Sequence, residues 1–179
     1  MGTRVGYAGG TKENPTYYSL GDHAETIQID YDPTQVSYEE LLDVFWQSHN
    51  ATSQPYSRQY RSIVFYHDEE QRSKTEESRD REAARRGVQI LTEIMPAAEF
   101  TLAEGYHQKY RLQQATVVMD EFMAIHPAGG WIDSAAAARV NGYLGGYGSL
   151  ESLQSDRGSW GLTGEAAERL LDSVRRWQR

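Results

Sequence analysis

Cysteine is absent from the 179 residues, which excludes disulfides, thiolate metal sites and thiol nucleophiles from anything these residues do by themselves. Long apolar stretches are missing as well. No run approaches the roughly 18 residues that span a bilayer, and the N-terminus lacks the apolar core of a signal peptide. No membrane partner is expected, and the cytoplasm is the expected location. Positive charge is scarce, with 18 Lys and Arg against 26 Asp and Glu and a formal net charge of −8. That balance argues against nucleic acid as a partner, because affinity for a phosphate backbone comes mainly from cations displacing counterions. The basic clusters Arg79 to Arg86 and Arg175 to Arg179 are short or diluted by acids, and read as solvated helix faces.

Several chemical signatures are missing too. The five histidines lack the His-Glu-x-x-His spacing, so no metal is expected. His23-Ala24-Glu25 resembles the His-x-Glu half of a zinc deaminase site, but the other half is a Cys-x-x-Cys. The glycines of Gly6 to Gly10 and Gly142 to Gly148 miss both the dinucleotide and the P-loop spacing, and turns with positive φ explain them better. There is no Gly-x-Ser-x-Gly elbow. No cofactor is expected.

What is present describes a folded chain. Hydrophobic residues make up 39% and charged residues 25%, proportions of a globular protein. The length suits one domain with a helical appendage. Thr26 to Tyr31 alternates as a half-buried strand, with Ile27, Ile29 and Tyr31 on the inner face. Ser37 to Ser48 has the helical period, with Tyr38, Leu41, Leu42, Phe45 and Trp46 on one face for packing on a sheet. Ser37 and Glu40 form a capping box at its start. Ser62 to Tyr66 reads as a strand. Asp68 to Arg86 reads as an exposed helix, with opposite charges at i and i+4 in Asp68/Arg72, Glu70/Lys74, Glu77/Arg81 and Glu82/Arg86, ended by Gly87. Val88 to Ile94 is a strand closed by Pro96, and Ala103 to Gln114 a helix or turn.

From about Gln113 the character changes. Val117, Val118, Phe122 and Met123 suggest one helix, while Ala166, Leu170, Leu171, Val174 and Trp177 suggest a terminal one. A Gly-rich stretch from Asn141 to Gly148 lies between them. Tyr143, Tyr147 and Trp160 either form an aromatic binding patch or pack in a satellite core.

The most specific signal is a series of motifs in order: Val5-Gly6-Tyr7-Ala8-Gly9-Gly10, Asn14-Pro15-Thr16-Tyr17, His23-Ala24-Glu25, Tyr31-Asp32-Pro33, Gln59-Tyr60-Arg61-Ser62, Thr92-Glu93-Ile94 and Tyr106-His107-Gln108-Lys109-Tyr110. From Thr3 to Leu112, nearly without gaps, the chain closely resembles the A-type peptide methionine sulfoxide reductases, oxidoreductases of protein repair under oxidative stress. The resemblance implies an α/β (α+β) fold, a ferredoxin-like two-layer sandwich over residues 1–112, followed by a helical C-terminal extension over 113–179. It also implies oxidised methionine, in peptides or free, as the partner.

By position in the matched motifs, the resemblance makes Glu25 the acid and Tyr17 and Tyr60 the phenols that hydrogen-bond the sulfoxide oxygen. A carboxyl buried beside aromatic rings can hold a proton near neutrality, and phenol donors stabilise charge developing on oxygen. The family's nucleophile, in a Gly-Cys-Phe-Trp-Gly motif ahead of the segment matching Thr3, is not among these residues. The expected form is therefore one lacking the family's first strand and helix, with thioredoxin an unexpected partner and a second chain a possible filler of the gap in the sheet. The unpaired backbone of such a gap predicts poor stability for the chain alone. A second departure lies before Tyr60. The family carries a longer loop with an Asp and a Gly-Thr-Gln-Tyr-Arg-Ser ending, whereas here the ending is Ser57-Arg58-Gln59-Tyr60-Arg61-Ser62 and the loop Asp has no counterpart. Two readings follow: a reductase whose thiolate comes from elsewhere, or a non-catalytic module that binds methionine sulfoxide or mediates protein contacts.

Overall fold

Ser37 opens the first helix as its spacing predicts. Its hydroxyl accepts from the Glu40 N–H, and the Glu40 carboxylate accepts from the Ser37 N–H at 2.7 Å. The computed structural model describes residues 2–177, Trp177 by its backbone alone. Trp177 as an apolar anchor, and Gln178 and Arg179 of the terminal basic cluster, thus lie outside the described side chains. Within this span the strands are β1 Gly2–Ala8, β2 Ala24–Asp30, β3 Ile63–Tyr66, β4 Glu93–Pro96 and β5 Thr101–Leu102. The helices are α1 Tyr38–Ser48, α2 Glu69–Arg86, α3 Tyr110–Gln113, α4 Thr116–Ile125, α5 Ala135–Leu144, α6 Leu150–Ser155 and α7 Gly164–Trp177. One sheet has the order β2-β1-β5, with Gly6 opposite Leu102 in the antiparallel β1/β5 pair. The other is the parallel pair β3-β4, running from Ile63 opposite Glu93 to Tyr66 opposite Pro96, with α2 as its crossover. This is a mixed α/β architecture of small sheets and helices.

The chain divides into two compact units, residues 6–26 and 31–103 in one and residues 2–5, 27–30 and 104–177 in the other. In the first, the apolar centre is small: Leu42, Trp46, Ala51 and Ile90, with Tyr38, Phe45, Val64 and Ala83 partly buried around it. α1 packs chiefly on α2 and reaches the β3-β4 pair through Val64, rather than lying on a sheet. α2 is correspondingly not exposed all round. Thr75, Ser78 and Glu82 are buried on it. The Trp46 indole donates to Ser78 Oγ at 2.6 Å, Tyr38 and Thr75 hydroxyls meet at 2.9 Å, and Glu82 accepts from Arg85 and Arg86. A helix with almost no apolar residues is buried because its small polar side chains satisfy the polar tips of aromatic neighbours. Of the i,i+4 pairs expected, Glu70/Lys74 and Glu82/Arg86 form. Asp68 is instead the helix cap, accepting from the Gln71 N–H, and Arg72 turns to Glu69 and Glu76.

Val88 to Thr92 is not strand. The Val88 N–H bonds back to Ala83, the Leu91 N–H donates to the Ala51 carbonyl, and Ile90 fills the core, so the ladder starts only at Glu93.

The second unit holds the larger core, in which Leu112, Val118, Phe122, Val140, Leu153, Leu170 and Val174 from the C-terminal helices are among the buried residues. Two of these helices were not expected: α5, capped by Ser134, runs into the Gly-rich stretch as far as Leu144, and α6, capped by Ser149, begins just after it. Tyr143 and Trp160 belong to the core, whereas Tyr147 is exposed, so no aromatic patch forms from the three. β2 alternates as expected but with the opposite face engaged. In this unit Arg4 donates to Gln28 Oε1 at 3.3 Å and pairs with Asp30 at 2.8 Å and Asp133 at 2.5 Å, while Ile27 and Ile29 remain 58% and 38% exposed. Charge and hydrogen bonding from Arg4 decide the side that is covered. Lys109, only 5% exposed, donates to the Ile132 carbonyl at 3.0 Å and to the Thr3 carbonyl.

Candidate active site

The loop from Gly9 to His23 is closed at its base by polar side chains. Asp22 accepts from the N–H groups of Thr11 and Lys12 at 2.8 and 3.2 Å and from the Thr11 hydroxyl, and these bonds draw its pKa down to about 2. Buried His23 accepts the Gly10 N–H at Nδ1 and donates from Nε2 to the Lys12 carbonyl at 2.8 Å, which selects the Nε2–H tautomer. Gly9 has φ +75°, and a Cβ there would meet the Phe65 ring at 2.7 Å. A closed base of this kind carries Tyr17 on the loop and hands the chain directly to Glu25 at the start of β2.

The second contributing segment is the 3-10 turn Arg58–Tyr60. It is anchored from behind: His49 Nδ1 donates to the Phe45 carbonyl, His49 Nε2 accepts from Ser62 Oγ at 2.8 Å, and Ser62 Oγ lies 2.8 Å from Thr92 Oγ1. A Ser–His contact of this length could suggest a nucleophile, but the Ser62 hydroxyl is spent between His49 and Thr92 at the β3-β4 junction. Gln59 points the other way and donates its amide to the Glu25 carboxylate. Tyr60 shares a hydrogen bond with Tyr17, and its pKa is raised above 10.0 first by the Glu25 charge and then by Tyr17. The three positions expected from the motifs are thus gathered in one place, with Gln59 as a fourth member. Gln59 was legible only as the neighbour of Tyr60 in its motif. Glu25 is exposed rather than buried beside the rings, and Tyr60 is 54% exposed, so the group faces open solvent.

Beside it lies a cleft of about 500 Å³ lined by Gly9, Asp22, Ser57, Arg58, Arg61 and Glu93. Arg61 Nη2 donates to the carbonyls of Gly9 and Asp22, both at 3.1 Å, so it ties the two segments of the site together. Among the described residues no three His, Asp or Glu side chains converge as metal donors, and no helix is long and apolar enough to cross a membrane.

A family model described as peptide methionine sulfoxide reductase matches residues 1–128. The chain belongs to this family. A second model, the helical domain of selenoprotein methionine sulfoxide reductase A, matches residues 132–163 of this peptide methionine sulfoxide reductase family member. Similar proteins include a peptide methionine sulfoxide reductase of Drosophila melanogaster, 43% identical over 164 residues that cover 90% of this chain and 65% of the relative. The MsrA of Methanothermobacter thermautotrophicus is 46% identical over 62% of this chain and 72% of its own. Peptide methionine sulfoxide reductase A5 of Arabidopsis thaliana is 38% identical over 79% of this chain and 58% of its own. The chain therefore spans between 58% and 72% of the length of these relatives. Among solved structures, Mxr1 of Saccharomyces cerevisiae in its reduced form aligns with TM-score 0.56 and 29% identity over 63% of this chain and 70% of that one. Methionine sulfoxide reductase A of Corynebacterium diphtheriae aligns with TM-score 0.52 and 34% identity over 63% and 62%. The mixed α/β fold described above is accordingly the α+β fold of the methionine sulfoxide reductases.

Proposed function

We propose that this chain supplies the oxygen-binding and proton-donating half of a methionine sulfoxide reductase site, and that its 179 residues do not reduce sulfoxides unaided. The observation that carries this reading is the convergence of Glu25, Tyr17 and Tyr60 in a sequence that holds no thiol. In the reaction envisaged, a thiolate attacks the sulfoxide sulfur and forms an S–S bond, the protonated oxygen leaves as the S–O bond breaks, and water then attacks the thiol-derived sulfur, breaking the S–S bond to give a sulfenic acid and methionine as the thioether. Tyr17 and Tyr60 donate hydrogen bonds to the sulfoxide oxygen, and Glu25, a carboxylate in the open site that takes up a proton once substrate covers it, passes that proton to the oxygen. The thiolate comes from a Gly-Cys-Phe-Trp-Gly segment joined to this chain or carried by another. Without it the site is a binding module for oxidised methionine, a second reading favoured by the solvent exposure of Glu25. Residues 1–112 make up the reductase-like part and 113–179 a helical extension, acting in the cytoplasm, with thioredoxin not engaged by this chain.

The test is an assay of the purified chain with dithiothreitol and a peptide S-sulfoxide. No turnover is expected. Joining a Gly-Cys-Phe-Trp-Gly-bearing segment restores it, and Glu25→Gln then lowers the restored rate about a hundredfold or more, the scale of a general acid. Turnover by the bare chain, or a restored rate indifferent to Glu25→Gln, refutes the proposal.

A further inference from the structure

Two guanidinium groups and two carboxylates line the cleft beside the site. Arg58 lines it, and among the described residues its guanidinium has no ion pair and no hydrogen bond. Arg61, the extended residue that ends the 3-10 turn, lines the same cleft, while Gln59 and Tyr60 are not among its lining residues. Arg61 Nε is buried without a partner, and so is the Ser57 hydroxyl. The two acids that line the cleft are already engaged, Asp22 by Thr11 and Lys12 and Glu93 by Arg61 Nη1 at 3.7 Å. Arg58 is the exposed cation of the cleft that an anion can reach, and a forked guanidinium matches a planar carboxylate.

No acid occurs from His49 to Tyr60, the segment that carries Arg58 into the cleft.

We propose that this cleft receives a carboxylate carried by the substrate peptide within about two residues of the oxidised methionine, a reach of roughly 7 Å of extended chain. The inference rests on the sulfoxide-binding role given above to Tyr17, Tyr60 and Glu25. The carboxylate is either an Asp or Glu side chain or a chain terminus.

Fluorescence anisotropy with labelled tetrapeptides separates these elements. Four end-blocked peptides combine methionine sulfoxide or norleucine with Asp or Asn two residues on, and a fifth carries methionine sulfoxide, Asn and a free C-terminal carboxylate. The Asp peptide is expected to bind about tenfold more tightly than the Asn peptide at low salt, the scale of one charge-assisted contact, and the preference fades at high salt. Arg58→Gln, at an exposed side chain whose loss leaves the fold intact by circular dichroism, brings the two within about twofold, while Tyr60→Phe weakens only the part of the affinity that depends on the sulfoxide. A fifth peptide that binds like the Asp peptide identifies the terminus as a source; one that binds like the Asn peptide restricts the cleft to side chains. Equal affinity for Asp and Asn, or an Asp preference that survives Arg58→Gln, overturns the inference. Sulfoxide and norleucine peptides bound equally, with the Asp preference intact, overturn the reading of Tyr17 and Tyr60 and leave the cleft standing.

Discussion

The Glu25 carboxylate and Tyr17 disfavour a second negative charge beside them and so raise the Tyr60 pKa. A phenol is in any case a hydrogen-bond donor at neutral pH, the role that a sulfoxide oxygen requires. Removing the Glu25 charge removes the larger of the two causes. Glu25→Gln is expected to lower the Tyr60 pKa toward its ordinary value, read by NMR titration of ring-labelled tyrosine with Tyr60→Phe to assign the signal. An unchanged titration would show that the two side chains do not share a site in solution. The types and order of these residues were legible in the motifs. The exposure of Glu25 and its bond from Gln59 were not, because burial depends on what the rest of the chain places over a residue.

At the scale of the element, local rules held at the ends of α1 and α2. Ser37 with Glu40 begins α1 and Gly87 ends α2 as their chemistry predicts, since a cap acts within one turn. Rules of surface charge failed on α2, where Thr75 and Ser78 are buried among charged neighbours. Trp46 Nε1 donates to Ser78 Oγ in the interior of a small core, so Ser78→Ala leaves a buried indole N–H without an acceptor. The expected loss is about 1–3 kcal/mol in urea unfolding. Trp46→Phe in the same background should cost less than the sum of the two single changes, because the N–H left unpaired by the first substitution is gone. An additive pair would mean that the bond contributes nothing. The strand expected from Val88 failed for a related reason: Leu91 gives its N–H to Ala51 across the fold, a partner that no local pattern reveals.

For the molecule as a whole, one buried cation links stability to pH. Burial lowers the Lys109 pKa from 10.5 to about 8, with Asp133 opposing the change and Arg4 adding to it. The unfolded chain holds this proton up to its ordinary pKa, whereas the folded chain releases it near 8, so between the two values the unfolded state binds more protons and stability rises with pH. The charged form is the costly one, and its cost is fully present below about pH 8. Relative to Lys109→Met, the wild-type chain should gain up to about 3 kcal/mol between roughly pH 7.5 and 10.5, measured by denaturant unfolding at each pH, because a tenfold change in proton affinity is worth about 1.4 kcal/mol. A gap between the two proteins that stays constant with pH would refute the buried ammonium. Several features follow from composition and motif alone: the exclusion of thiol chemistry, the family, the ends of α1 and α2, and the identities of Glu25, Tyr17 and Tyr60. These depend on which atoms are present and on rules that act over a few neighbouring residues. Tertiary structure alone decided which face of β2 Arg4 engages, that the larger core lies in the C-terminal helices, and that Arg58 lines a cleft next to Tyr60 without an ion pair among the described residues. Each of those outcomes is settled by partners far apart in the chain, and burial and charge pairing are properties of the assembled surroundings rather than of any residue's own type.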